Sequence, residues 1–143
     1  MVPIADRPED VEGTGGQGPQ DPGDPRDARE APTPKQVRDE IAREILRIHE
    51  ESYGRGATLA NAIMGDGFVI VVLDDLELLP NEQFLVDNGK QDAVAHVRSQ
   101  YQLAIQSSFR AAIERATGRK VVGFASTTSV EEPRFMAEVF KLE

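Results

Sequence analysis

The chain contains no cysteine among its 143 residues. That excludes a disulfide framework, a thiolate metal site and a cysteine nucleophile. Long apolar runs are also missing. The uninterrupted stretch Phe68–Leu73 is six residues, far short of the ~20 that a membrane-spanning helix needs. Basic charge is in deficit, with 16 Lys and Arg against 25 Asp and Glu and a formal net charge of -9. Nucleic-acid binding relies on clustered Lys and Arg that displace counterions, so this balance argues against a phosphate backbone as partner. The same Coulombic sign disfavours an anionic membrane surface. The opening Met-Val-Pro-Ile-Ala-Asp-Arg lacks the basic start and apolar stretch of a secretory signal, and a cytoplasmic location is expected.

What remains is enough for one ordinary domain, with 39% hydrophobic residues to build a core. They are unevenly spread. Residues 1–32 hold six prolines, five glycines, eight acidic and three basic side chains, and little that is apolar beyond Val2, Ile4 and Val11. Such a segment buries too little surface to offset a backbone entropy of roughly 1–2 kcal/mol per residue. It is expected to be a disordered acidic tail ahead of a folded domain at 33–143.

The domain announces itself at Thr33-Pro34-Lys35-Gln36, which combines an N-cap hydroxyl, proline at the first helical position and a glutamine placed to close a capping box. Val37, Ile41, Ile45 and Ile48 then share one helical stripe, predicting a helix from Pro34 to Tyr53 that ends at Gly54. After Gly56 the period changes. Two apolar segments flank Gly65-Asp66-Gly67, a strong hairpin signal. With Asp66-Gly67 as the loop, Ile63 faces Ile70 and Asn61 faces Val72 on one side, while Met64 faces Val69 and Ala62 faces Val71 on the other. Both faces come out apolar. A short helix is expected from Leu78-Leu79-Pro80 to Asn88-Gly89. One long helix follows, with Val94, Val97, Tyr101, Ile105, Ser108, Ala112, Ile113 and Ala116 on its stripe, closed by Thr117-Gly118. Lys120–Thr128 and Pro133–Leu142 complete a second hairpin, whose loop near Ser129–Glu132 leaves its register open.

The expected fold is therefore α+β: a two-layer α-β-β-α-β-β domain with a mainly antiparallel four-stranded sheet and two main helices. Two helices cover one face of such a sheet. The other face, lined by Val, Ile and Met, would be left wet, which points to a homodimer.

No nucleophile–base pair, metal cluster or phosphate loop is readable. His49 and His96 have no second ligand at a metal spacing and read as ordinary polar histidines. Asp74-Asp75, Glu77 and Glu131-Glu132 read as solvated loop acids. Arg98, Arg110 and Arg115 read as surface residues of the long helix, forming intrahelical pairs and solvent contacts rather than a substrate clamp, and Ser126-Thr127-Thr128-Ser129 as a strand end with turn residues. No catalytic residue, metal or cofactor is expected. The sharpest cluster is Tyr53-Gly54-Arg55-Gly56. Its glycines let the backbone turn tightly around a guanidinium with five donors, which suits a carboxylate or phosphate; a glycine-capped helix exit is the plainer reading.

From Tyr53 onward the pattern resembles a bacterial family named for MpsC of the sodium-translocating, membrane-potential-generating Mps system. The likeness covers nearly all of residues 35–143. It rests on Gly54-Arg55-Gly56 after the first helix, the apolar hairpin, Leu78 through Glu82, Leu85, Gly89, Arg98, Thr117-Gly118 and the closing Val139-Phe140-Lys141-Leu142-Glu143. Two positions depart from the family pattern: Ala57 stands where proline is usual, and Leu79 where a threonine cap is usual. The resemblance implies an accessory to a membrane system for cation transport, membrane potential or inorganic-carbon uptake, cytoplasmic or peripheral to a membrane complex, with a membrane subunit as partner. It makes Tyr53, Gly54, Arg55, Gly56 and Arg98 the candidate contacts for a partner or an anion. The rival reading is a small-ligand sensor or small enzyme with a pocket between the long helix and the sheet.

Overall fold

The computed structural model describes residues 30–54 and 57–143. The tail reading for residues 1–32 falls almost wholly outside them, as do Arg55 and Gly56. Helix α1 spans Pro34–Tyr53 and begins as its sequence dictates. The Thr33 hydroxyl accepts from the Gln36 backbone N–H at 3.2 Å, and the Gln36 side chain accepts from the Thr33 N–H at 2.8 Å. Strands β1 (Leu59–Gly65) and β2 (Phe68–Asp74) form the first hairpin, with Ile63 opposite Ile70 and Met64 opposite Val69. Gly67, at φ 85°, supplies the left-handed residue that this turn needs. Phe68 lies so close over Gly65 that a Cβ there would sit 2.1 Å from its ring, so only glycine lets the ring settle on the strand.

Helix α2 covers Pro80–Asp87. It closes in a Schellman arrangement, Lys90 N–H to the Leu85 carbonyl at 2.7 Å and Gly89 N–H to the Val86 carbonyl at 3.0 Å. The expected long helix is two helices, α3 (Gln91–Ala104) and α4 (Gln106–Thr117), separated at Ile105. Its stripe is also corrected. Val97, Tyr101 and Ser108 are exposed, whereas Val94, Arg98, Gln102 and Phe109 are buried. The break has a geometric reason. Each step of four residues carries a contact line about 40° round a helix of 3.6 residues per turn, so the line 94-98-102, continued in steps of four, would wind off the sheet. The turn at Ile105 brings Phe109, Ala112 and Ile113 back onto it.

Strands β3 (Val121–Ser129) and β4 (Phe135–Leu142) finish a four-stranded antiparallel sheet in the order β1-β2-β4-β3. Their register, left open by the sequence, pairs Ser126 with Glu138 and Phe124 with Phe140. The fold class is α+β, as expected. All helices of the described residues that bury apolar side chains do so against one face of the sheet. There Ile41, Ile45 and Ile48 of α1 and Phe109 and Ile113 of α4 meet Val69, Val71, Leu73, Met136 and Phe140. The opposite face carries Leu59 and Ile63 at 57% and 53% exposure, with Phe68 and Phe135 also exposed.

Candidate functional site

At one end of the helical layer the structure gathers polar side chains that the sequence scatters. Arg98 of α3 is completely buried, because α3 turns it inward onto Glu82 of α2. Its Nε donates to Glu82 Oε2 and its Nη2 to Glu82 Oε1, both at 2.8 Å. Nη2 also reaches the Glu77 carbonyl at 2.9 Å, and Nη1 lies 4.0 Å from the Met136 sulfur. Glu82 accepts further from the Tyr53 hydroxyl at 2.6 Å and the Leu79 N–H at 2.8 Å. This last bond is the glutamate half of a capping box and holds the start of α2 even though Leu79 offers no capping side chain.

Aromatic contacts extend the cluster. The Arg98 guanidinium carbon lies 4.4 Å from the centre of the Tyr53 ring, a cation–π contact. Tyr53 stacks on His49 and meets Tyr101 edge-on at 4.9 Å, and the Tyr101 hydroxyl donates to the Ser52 carbonyl. The Gln102 amide donates to His49 Nδ1 at 3.1 Å. In that orientation neutral His49 carries its proton on Nε2, a buried atom without a hydrogen-bond partner.

The electrostatics follow from burial. Burial pushes the Glu82 carboxyl up, but hydrogen bonds from Arg98, Tyr53 and Leu79, with the Arg98 charge, outweigh it and hold the group below the usual range. Its contribution to stability is therefore present above the ordinary carboxylate pKa and lost as pH falls through the folded value. Burial, reinforced by the Arg98 charge, lowers His49 to about 4. Burial and the bond to Glu82 raise the Tyr53 phenol. Glu138 of β4 is different: among the described residues no cation lowers it, and burial pushes it up to about 7 against a small opposing effect from Ser126. Neither of its oxygens completes a hydrogen bond of ordinary geometry, nor do Ser126 Oγ, Thr128 Oγ1 or Gln102 Oε1.

Of the residues expected to meet a partner, the structure brings Tyr53 and Arg98 into direct contact and leaves Gly54 exposed as the cap of α1. The reading of Arg98 as a surface residue is corrected: its charge is drawn inside by Glu82. Glu82, His49, Gln102 and Glu138 were missed. The spacing 94-98-102, in steps of four, was the signal for the inward line on α3; nothing comparable marked Glu138. Among the described residues no group of three or more His, Asp or Glu is placed to hold a metal ion, and no helix is long and apolar enough to cross a membrane.

The fold and this cluster define a two-layer α+β domain built around a buried ion pair. Residues 33–143 match the model of the family described as the Na+-translocating membrane potential-generating system (MpsC), and the chain belongs to that family. No curated protein and no solved structure matches it.

Two substitutions probe the cluster and its neighbour. Arg98→Ala leaves the Glu82 carboxylate buried and unpaired, and chemical denaturation should show a loss of about 3–5 kcal/mol. Glu138→Gln should do the reverse. A carboxyl whose folded pKa is about 7 against an ordinary 4.5 destabilises the fold progressively as pH rises between those values. The variant should thus gain up to about 3 kcal/mol at pH 8 and almost nothing near pH 4.5, read from thermal midpoints across that range.

Proposed function

We propose that this domain is a soluble, cytoplasmic accessory component of a Na+-translocating, membrane-potential-generating assembly, working by docking rather than by catalysis and acting as a pair of copies. Membership of the MpsC family supports that setting. The observation that favours docking is how the polar groups at the end of the helical layer are used. Arg98, Glu82 and Tyr53 spend their hydrogen bonds on one another and on backbone, while apolar side chains remain outside. Val97 and Tyr101, one turn apart on α3, are exposed, and so is Phe84 on α2. Exposed aromatic and aliphatic groups beside a rigid polar foundation suit a protein partner. In this reading Tyr53, Gly54, Arg55 and Gly56 make the contact, and Arg98 positions Tyr53 from beneath.

A second reading, a small-ligand sensor or small enzyme, is favoured by one observation. The unpartnered atoms of His49, Gln102, Ser126, Thr128 and Glu138 belong to the layer between helices and sheet, and buried polar groups ordinarily find partners.

The two separate experimentally. Arg55→Ala should weaken capture of a co-encoded membrane subunit by about tenfold or more while leaving the thermal midpoint near that of the natural chain. Equal capture by both proteins, or loss of stability in step with loss of capture, would contradict the contact assignment. A metabolite that raises the midpoint saturably, and fails to do so with Glu138→Gln, would favour the sensor.

A further inference from the structure

We propose that the helix-free face of the sheet packs against the same face of a second copy of this chain, about a two-fold axis lying in the interface and set so that the Asp74 end of β2 in each copy covers the Lys141 end of β4 in the other. The pairing deepens the two-copy part of the function reading and is independent of docking to a membrane subunit.

Alternation along the strands defines the surface. Ile70 sits at its centre, with Ile63 opposite on β1 and Val139 opposite on β4; Val72 has Asn61 and Ala137 as its neighbours. Ala125 and Thr127 continue the face onto β3 as small, exposed residues. No helix of the described residues packs here, and Leu59, Ile63, Phe68 and Phe135 remain exposed. Isolated apolar side chains on a surface are normal, but a contiguous sheet of them marks an interface.

Charge identifies the occupant. In a chain of net charge -9, the paired positions of this face hold one acid and one base. Asp74 lies at the end of β2 opposite Phe135, and Lys141 lies at the other end of β4 opposite Phe68. The two therefore lie at opposite ends of the two central strands. A two-fold axis lying in the interface, perpendicular to the line joining them and therefore nearly across the strands, carries each acid onto the partner's base, so the face is complementary to itself. A symmetric contact between identical copies requires that property, whereas a basic or acidic partner would find no net charge to recognise.

The size also suffices. Four strands about 4.8 Å apart and seven residues long at about 3.3 Å per residue give a footprint of about 19 Å by 23 Å. Two such faces, with side chains standing proud of the backbone, bury close to the ~1,000 Å² that separates real associations from chance contacts. Aligned sheet packing provides the geometry, with β-branched side chains from the two faces interleaving in a layer about 10 Å thick.

Sedimentation velocity on the full chain tests the pairing. The natural protein should move as a dimer of 15.7 kDa subunits, and Ile70→Lys should be monomeric with an unchanged far-ultraviolet circular dichroism spectrum. Asp74→Lys, at the rim where folding is not at stake, should weaken self-association by about tenfold or more. Asp74→Lys combined with Lys141→Asp should restore it. A natural chain that stays monomeric at high concentration would overturn the proposal, its face then being covered by its own N-terminal stretch or by a different partner. So would an Ile70→Lys protein that still dimerises, or a double swap that fails to recover what Asp74→Lys lost. None of these outcomes depends on the capture experiment with Arg55→Ala, so failure of docking and failure of pairing are distinguishable.

Discussion

Arg98 and Glu82 form the one interaction on which the helical end of the molecule is organised. The pair is bidentate, with both contacts at 2.8 Å and both side chains almost fully out of water. Desolvating two charges is expensive, and a well-packed apolar pair would serve stability as well or better. What the charged pair supplies is placement. Glu82 holds the first turn of α2 through the Leu79 N–H, and the Tyr53 hydroxyl at the end of α1. Arg98 holds the Glu77 carbonyl that leads into α2 and supports the Tyr53 ring. Three helices meet through two side chains. An aliphatic replacement would fill the space without fixing these directions, because it has no fork of donors to satisfy a carboxylate and a carbonyl together.

The sheet shows the complementary economy. Its helix-facing side is closed by Ile, Phe and Met packing, and its other side leaves apolar side chains exposed. The two sides therefore divide the work. Buried polar pairing is concentrated between the helices, and the strands leave Leu59, Ile63, Phe68 and Phe135 exposed. Glu138 is the exception, a carboxyl on the closed side with burial against it and little to offset that burial. It makes the core sensitive to protonation near neutrality, in the opposite sense to Glu82. Acidification relieves Glu138 while it removes the stabilising charge of Glu82, so the two buried carboxyls respond in opposite senses to the same change of pH.

Much of the framework was readable from local chemistry. Thr33 and Gln36 fixed the start of α1, and Asp66-Gly67 fixed the register of the first hairpin. In both, the information lies within a few residues and one backbone conformation satisfies it. Asn88-Gly89 and Gly118 marked helix ends for the same reason, since left-handed positions favour glycine. The candidate site was less accessible. Arg98 entered the list of contacts through family resemblance, and its polarity hid the fact that it belongs to the buried line of α3. A charged residue counts against a core position until its partner is known, and that partner lies 16 residues earlier on another helix. Gln102 and His49 were hidden in the same way, as each accounts for the burial of the other across 53 residues. The break at Ile105 was invisible because both halves are good helices, and the winding of the buried line away from the sheet shows only once that line is known to run through Arg98 and Gln102.

The central claim, that one buried ion pair orders the helical end while the sheet stands by itself, is tested most directly by amide hydrogen exchange in a Glu82→Gln variant. The account predicts faster exchange in α2, in the first turns of α3 and at the end of α1, with β2 and β4 retaining the protection of the natural chain. Unchanged protection in α2, or an equal loss everywhere including the central strands, would contradict it.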